Sequence, residues 1–166
     1  ETIAWNEKDN GWSVFYPYQP EYMSSNGVDM ISFKNGAIYT HNTNSVYGDF
    51  YGIQYQPEVW VVMNGEPSVR KILLAISQET NSAWEVYEIL TPNGQKSSLL
   101  VSDFQEIENN QYAQVLMDEN TPNTAASPPL LPNAIFEGDP MRDRTFLCKF
   151  RYTGTDYTVP NAIPII

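Results

Sequence analysis

The most constraining feature of the sequence is a short run in which every residue is apolar. The run is Trp60-Val61-Val62-Met63, and it lies inside the stretch from Pro57 to Asn64. β-Branched and aromatic residues dominate it, and it is too short for an ordinary helix. A strand that is apolar at consecutive positions needs cover on both faces. We therefore predict a central β-strand that begins at Pro57 and ends before the Asn64-Gly65 turn signal.

Other parts of the sequence show the two-residue alternation of β-strands. Segments 28–34 and 37–41 flank Asn35-Gly36, the dipeptide that suits a two-residue type I′ turn, and so predict a hairpin. Segment 145–152 alternates most cleanly, which is typical of a half-buried antiparallel strand. Segment 69–76 is another largely apolar run, in which Arg70 and Lys71 fall on opposite faces, and we expect its beginning to be exposed and its end buried. Together these patterns predict a single all-β domain over residues 1–166, a two-layer antiparallel β-sandwich, with part of a β-propeller as the alternative.

Residues 118–133 form the one candidate arm. They include four prolines, which favour extended conformations without a core of their own. A merely solvated linker would not need apolar residues, yet the arm contains Pro128-Pro129-Leu130-Leu131. We expect these residues to form an interface, in which Leu130 and Leu131 are buried either against the domain's own sheet or in a partner.

Composition and charge exclude several classes of function. The formal net charge is −11 and the nine basic residues are scattered, so we expect no nucleic-acid surface. The sequence has no long apolar run, and we expect no membrane insertion. Cys148 is the only cysteine, so no intramolecular disulfide can form. The strand-like start and the apolar end lead us to expect a domain excised from a larger polypeptide.

No catalytic or metal-binding constellation emerges from the sequence. His41 is the only histidine, and we interpret it as a surface residue rather than the base of a triad. Cys148 lies on the apolar face of a predicted strand, which favours a packed core residue. One histidine and one cysteine cannot build a structural zinc site, although an irregular calcium site near residues 118–123 stays an alternative. We expect no cofactor and no enzymatic activity.

The aromatic residues, 13% of the chain, allow two readings. Trp12, Tyr16, Tyr18 and Tyr22 could form a stacking platform for sugar rings, with the first three and Val14 on one strand face. Alternatively, these rings pack the core. The first reading predicts a carbohydrate- or receptor-binding module and the second a structural one.

Several short segments occur in a recognisable order. They are residues 12–18 with 20–23, residues 31–42, residues 50–52, residues 59–71 with Asn64 and Pro67, residues 112–113 before 118–121, and Gly138-Asp139-Pro140-Met141-Arg142. In this order they resemble a domain of the structural tail proteins of short-tailed bacteriophages, in particular the muzzle or nozzle proteins of crAss-like phages that infect gut Bacteroides-type bacteria. The likeness spans most of the chain.

The resemblance implies a component of the virion rather than an enzyme. Proteins of this family are far longer than this chain and assemble in a ring at the distal end of the tail. The implied partners are other subunits of a ring-shaped homo-oligomer and neighbouring tail proteins. The family supplies no catalytic residues to assign to this sequence.

Overall fold

The computed structural model describes residues 1–122 and 130–155, which fall into two compact units. Unit 1 contains residues 1–55, and unit 2 contains the described residues from 56 to 155. Short strands and turns alternate on both sides of Pro57, so the pattern of elements along the sequence does not mark the boundary between the units.

Unit 1 is built from seven short strands in antiparallel pairs. They are β1 (Thr2–Asn6), β2 (Gly11–Tyr16), β3 (Tyr22–Ser25), β4 (Met30–Lys34), β5 (Ala37–Thr40), β6 (Asp49–Phe50) and β7 (Ile53–Gln54). β1 pairs with β2, β4 lies between β3 and β5, and β6 pairs with β7. The predicted β4–β5 hairpin is confirmed, because Asn35 and Gly36 join the strands with φ values of 51° and 74°, as a type I′ turn requires.

Unit 2 contains nine strands and two short helical turns. They are β8 (Glu58–Met63), β9 (Lys71–Ile72), β10 (Ala75–Gln78), β11 (Glu85–Leu90), β12 (Lys96–Leu99), a 3₁₀ turn (Val101–Asp103), β13 (Gln105–Ile107), β14 (Asn110–Gln114), α1 (Ala134–Glu137), β15 (Arg142–Asp143) and β16 (Phe146–Arg151). The main sheet has the order β12-β11-β16-β8, a second sheet has the order β10-β14-β13, and β9 pairs with β15. The fold is all-β and sandwich-like, as predicted.

The core of unit 2 uses side chains from both larger sheets. The prediction for β16 is confirmed, because Phe146, Cys148 and Phe150 are buried and alternate with half-buried residues. The same side of β11 adds Val86 and Ile89. The second sheet adds a smaller set of buried residues, Ile76 and Ala113. Removing these apolar groups from water is the main stabilising contribution to the unit.

The prediction that Pro57–Asn64 forms a central strand is wrong. β8 lies at the edge of the main sheet, and among the described residues it pairs with β16 alone. Trp60 and Val62 remain 62% and 60% exposed, while Val59, Val61 and Met63 are only half-buried. A run that is apolar at every position therefore does not prove cover on both faces.

Segment 69–76 begins exposed and ends buried, as predicted, since Val69 is 48% and Ile76 is 2% exposed. The segment divides into β9 and β10, which belong to different sheets. The chain crosses between the sheets at Leu73-Leu74, where the Leu73 N–H donates to Met141 O and Leu74 O accepts from Val115 N–H. These two hydrogen bonds to different neighbours fix the crossing point.

Candidate functional site

The β1–β2 hairpin turns its largest apolar side chains outward. Ile3 pairs with Phe15, and Trp5 pairs with Trp12, so these four side chains lie on one face of the ribbon, here called the hairpin face. The two members of the first pair are 45% and 68% exposed, and those of the second pair are 47% and 59% exposed. The two indole rings meet edge to face, with 5.1 Å between their centroids.

The opposite face of the hairpin carries Thr2 and Tyr16, which pair with each other, and Ala4, which pairs with Val14. Thr2 Oγ1 donates a hydrogen bond of 2.7 Å to Tyr18 O, and the Tyr16 ring contacts that of Phe50. The face that packs into unit 1 is therefore this one, while the hairpin face carries four exposed apolar side chains. A contiguous exposed apolar surface of this kind marks a contact site for another macromolecule.

A β-bulge explains why the hairpin face was not anticipated from the sequence. Ala4 pairs with Val14, but Trp5 pairs with Trp12, so Ser13 is the extra residue. The bulge places Trp12 and Val14 on opposite faces, whereas strict alternation predicted a shared face. The prediction therefore missed that Trp12 joins Trp5, and alternation alone contains no signal for one inserted residue.

The four residues of the predicted sugar platform occupy different environments. Trp12 belongs to the hairpin face, and Tyr22 is 65% exposed on β3, where it contacts Phe33 at 5.8 Å between ring centroids. Tyr16 and Tyr18 contact each other at 5.3 Å, and Tyr18 is buried. Within residues 1–55, ring contacts thus join Tyr16 to Tyr18 but neither of them to Trp12 or Tyr22.

Tyr18 lies at the centre of an aromatic cluster in unit 1. Its ring centroid is 4.4 Å from that of Phe50, 5.2 Å from that of His41 and 5.6 Å from that of Tyr51. Burial raises the pKa of Tyr18 to about 12, with smaller contributions from Tyr16 and Tyr51. The loop around Phe50 and Tyr51 therefore packs into unit 1.

His41 is a member of this cluster rather than the surface residue predicted. Its Nε2 lies 2.7 Å from Ser32 Oγ, and Ser32 Oγ also lies 2.8 Å from the Tyr51 hydroxyl. Burial lowers the pKa of the His41 imidazole. The Ser32–His41 distance is that of a nucleophile and its base, but Ser32 has 0% exposure, whereas a nucleophile must be reached by its substrate.

The described ends of the proline-rich arm fold toward each other. Pro122 and Leu130 form an antiparallel bridge, and the Leu131 N–H donates to Thr121 O at 2.8 Å. Backbone pairing therefore joins the described residues on either side of 123–129. Leu130 is 53% exposed and Leu131 is half-buried.

Two residues of the predicted arm interface, Pro128 and Pro129, lie outside the described residues. At the start of the arm, Asp118 is buried, and its Oδ1 accepts the N–H groups of Lys96 at 2.9 Å and Asn120 at 3.0 Å. This carboxylate ties the first residues of the arm to the β11–β12 turn of unit 2.

The outer face of the main sheet combines aromatic and charged side chains. Trp60 Nε1 donates to the Tyr87 hydroxyl at 3.0 Å, and Tyr87 donates to Glu58 at 2.9 Å. Arg151 pairs with Glu58 at 2.9 Å and stacks over the Tyr87 ring, while Lys149 lies 4.5 Å from the Trp60 ring centroid. These contacts help to hold β8 against β16.

Unit 2 also has an open polar hollow of 430 Å³. Its lining residues are Arg70, Asn93, Gln95, Asp118, Asp139, Pro140 and Arg142. The side chain of Gln95 braces the wall, because it accepts from Arg142 N–H at 2.7 Å and donates to Pro140 O at 3.0 Å. Neither Arg70 nor Arg142 forms an ion pair with the described residues. The hollow is therefore lined by two guanidinium groups that have no ion-pair partner among the described residues.

Other kinds of site were sought in the part of the chain that the structure describes. Residues 1–122 and 130–155 contain no group of three His, Cys, Asp or Glu side chains arranged to hold a metal ion. No helix among them has the length and apolar character needed to span a membrane.

No protein-family model matches the chain. No curated protein matches its sequence significantly.

Proposed function

We propose that the chain is a structural module of a bacteriophage virion tail and works through protein–protein contacts. The observation behind this proposal is the hairpin face, where Ile3, Trp5, Trp12 and Phe15 are all exposed on one side of a two-stranded ribbon. Tryptophan and other aromatic residues dominate the binding energy of protein interfaces. The partner we assign to this face is a neighbouring subunit of the same ring-shaped homo-oligomer.

The environment of the potential nucleophiles supports a non-enzymatic role. Ser32 and Cys148, which stand closest to a catalytic assignment, both have 0% exposure. Burial also raises the pKa of the Cys148 thiol to about 12, so the thiolate is scarce near neutral pH.

The experiment that tests this function is assembly of the full-length protein with a polar hairpin face. We expect the double variant Trp5→Asn/Trp12→Asn to fold but to assemble at least about tenfold more weakly, since central interface aromatics dominate affinity. The matched control is Val28→Asn, because Val28 is 93% exposed in unit 1 but lies outside the hairpin face. Normal particle assembly by the double variant would contradict the proposal.

A second candidate function is carbohydrate binding, and the polar hollow of unit 2 favours it. Arg70 and Arg142 could donate hydrogen bonds to sugar hydroxyl or carboxylate oxygens, and the volume falls within the range of small-molecule sites. A glycan array would test this candidate with the variant Arg70→Ala/Arg142→Ala. The control is Arg144→Ala, which removes an exposed arginine outside the lining. Binding that survives the double variant, or an array without hits, would remove this candidate.

A further inference from the structure

Five Asn-Gly dipeptides occur in the sequence, and this dipeptide can lose ammonia spontaneously. They are Asn10-Gly11, Asn26-Gly27, Asn35-Gly36, Asn64-Gly65 and Asn93-Gly94. The backbone nitrogen of the glycine attacks the carbonyl carbon of the asparagine side chain, since glycine has no Cβ to hinder the approach. Because the five dipeptides share this local chemistry, differences between their rates come from the structure around them.

The attack needs freedom at both of the groups that react. The asparagine side chain must turn its Cγ toward the next nitrogen, so a hydrogen bond that holds the side-chain amide elsewhere has to break first. The glycine nitrogen must be reachable, so a hydrogen bond from its N–H or a place in a strand ladder also slows the attack. Each hydrogen bond that must break lowers the rate roughly two- to tenfold.

Two of the dipeptides are held at both groups. Asn26 Oδ1 accepts the Asp29 N–H at 2.8 Å, and the N–H of the following glycine donates to Ser25 Oγ at 3.1 Å. Asn93 Oδ1 accepts from the Thr91 hydroxyl, and the N–H of its following glycine donates to Thr91 O at 3.0 Å. These two dipeptides are therefore expected to react slowly.

Two other dipeptides are held at one group each. Asn64 Oδ1 accepts a hydrogen bond of 3.2 Å from Thr145 Oγ1, which holds the side chain. The Asn10 side chain forms no hydrogen bond with the described residues, but Gly11 is the first residue of β2 and pairs there with Asn6. Intermediate rates are expected at both sites.

Asn35-Gly36 is held at neither group. The dipeptide is exposed and forms the turn between β4 and β5, outside both strands. The Asn35 backbone N–H donates to Glu21 Oε1 at 3.0 Å, but within residues 1–122 and 130–155 no hydrogen bond joins its side chain or the Gly36 N–H to a partner. We propose that Asn35 is the preferred site of deamidation in this chain.

The reaction proceeds in two steps. In the first step the bond between Gly36 N and Asn35 Cγ forms and the bond between Cγ and Nδ2 breaks. Ammonia leaves with the proton that the Gly36 nitrogen gives up, and a succinimide ring stays behind. In the second step one water molecule opens the ring at either of its carbonyl groups, which gives aspartate or isoaspartate.

Isoaspartate would alter the β4–β5 hairpin. Its main chain passes through the side-chain methylene, so the turn gains one backbone atom between Lys34 and Ala37, which pair with each other. Because the length of the turn fixes the register of a hairpin, the longer link disfavours the present pairing. The site lies outside the hairpin face, and this inference goes beyond the proposed function and does not depend on it.

Ageing of the native chain at mildly alkaline pH tests the proposal, with the rate at each asparagine measured by mass spectrometry. Digestion with pepsin in acid prevents further reaction during the analysis. We expect Asn35 to react fastest, at least about threefold faster than Asn26 and Asn93, with Asn10 and Asn64 between them. An Asn35 that reacts no faster than the other four, or does not react, overturns the proposal.

The control is the same incubation in concentrated urea, which unfolds the chain. The five dipeptides then lose the contacts that distinguish them, so we expect their rates to converge. A lead of Asn35 that is equally large in urea would originate in its neighbours along the sequence, and it would overturn the selection by structure.

Discussion

At the scale of single residues, the β4–β5 turn depends on backbone conformations that few side chains tolerate. Gly36 has φ of 74°, and no atom lies within 4 Å of the place where a Cβ would stand. A side chain at this position would therefore meet no neighbouring atoms, and a substitution would lower stability only through the backbone conformation. We expect Gly36→Val to lower the free energy of unfolding by about 1–2 kcal/mol, because a β-branched residue disfavours positive φ.

Urea unfolding would measure this cost. The control is Gly65→Val, since Gly65 also has open space around it but no positive φ. Equal stability of Gly36→Val and the wild-type chain would mean that the turn does not need its left-handed conformation.

His41 makes the stability of unit 1 depend on pH. Burial lowers the pKa of its imidazole below the ordinary 6.5, so unfolding takes up a proton between the folded pKa and 6.5. The contribution of the neutral imidazole to the free energy of unfolding is therefore fully present above pH 6.5 and is lost as the pH falls through the folded pKa. We expect His41→Gln, which does not titrate, to show a shallower loss of unfolding free energy over this window.

The folded pKa itself can be read by NMR, because His41 is the only histidine in the chain. A single imidazole resonance that titrates at or above 6.5 would contradict the expected direction. It would also mean that the contacts with Tyr18 and Ser32 do not shield the ring from water.

At the scale of elements, β11 and β16 form the interior of the main sheet, because both edges of each strand are paired, and β16 holds the edge strand β8. Cys148 lies on the inner side of β16 with 0% exposure, and its Sγ is 3.8 Å from Met63 Sδ on β8. Reagents can reach this thiol only when the sheet opens. We expect no reaction with a thiol reagent under native conditions and rapid reaction after unfolding, followed by absorbance. Immediate reaction of the native chain would mean that β8 separates readily from β16.

Local patterns predicted the elements whose determinants are local. Asn35-Gly36 determines its turn because both residues adopt positive φ. In β16 one face is buried, so the alternation of apolar residues could be recognised in the sequence. The edge position of β8 was not predictable in this way, because Trp60 gains partial cover from Lys149 on the adjacent β16 and from Tyr87 on β11, one strand further away. Which strands become neighbours depends on contacts distant in sequence.

At the scale of the whole molecule, the hairpin face is the surface that suits an assembly, and it belongs to unit 1. The exposed Trp12 was a predicted site residue, but its partner Trp5 became apparent only through the bulge in β2. A sequence can indicate an excess of aromatic residues, but their division between core and surface depends on strand register and packing.

The central claim is that the hairpin face is covered by a neighbouring subunit in the assembled protein. Hydroxyl-radical footprinting of the isolated chain and of the assembled full-length protein tests it most directly, with oxidation of Trp5, Trp12 and Phe15 measured by mass spectrometry. We expect all three side chains to be protected on assembly, while Tyr87 keeps its reactivity. If the three aromatic residues are oxidised equally in both samples, the hairpin face is not an interface and the account is wrong.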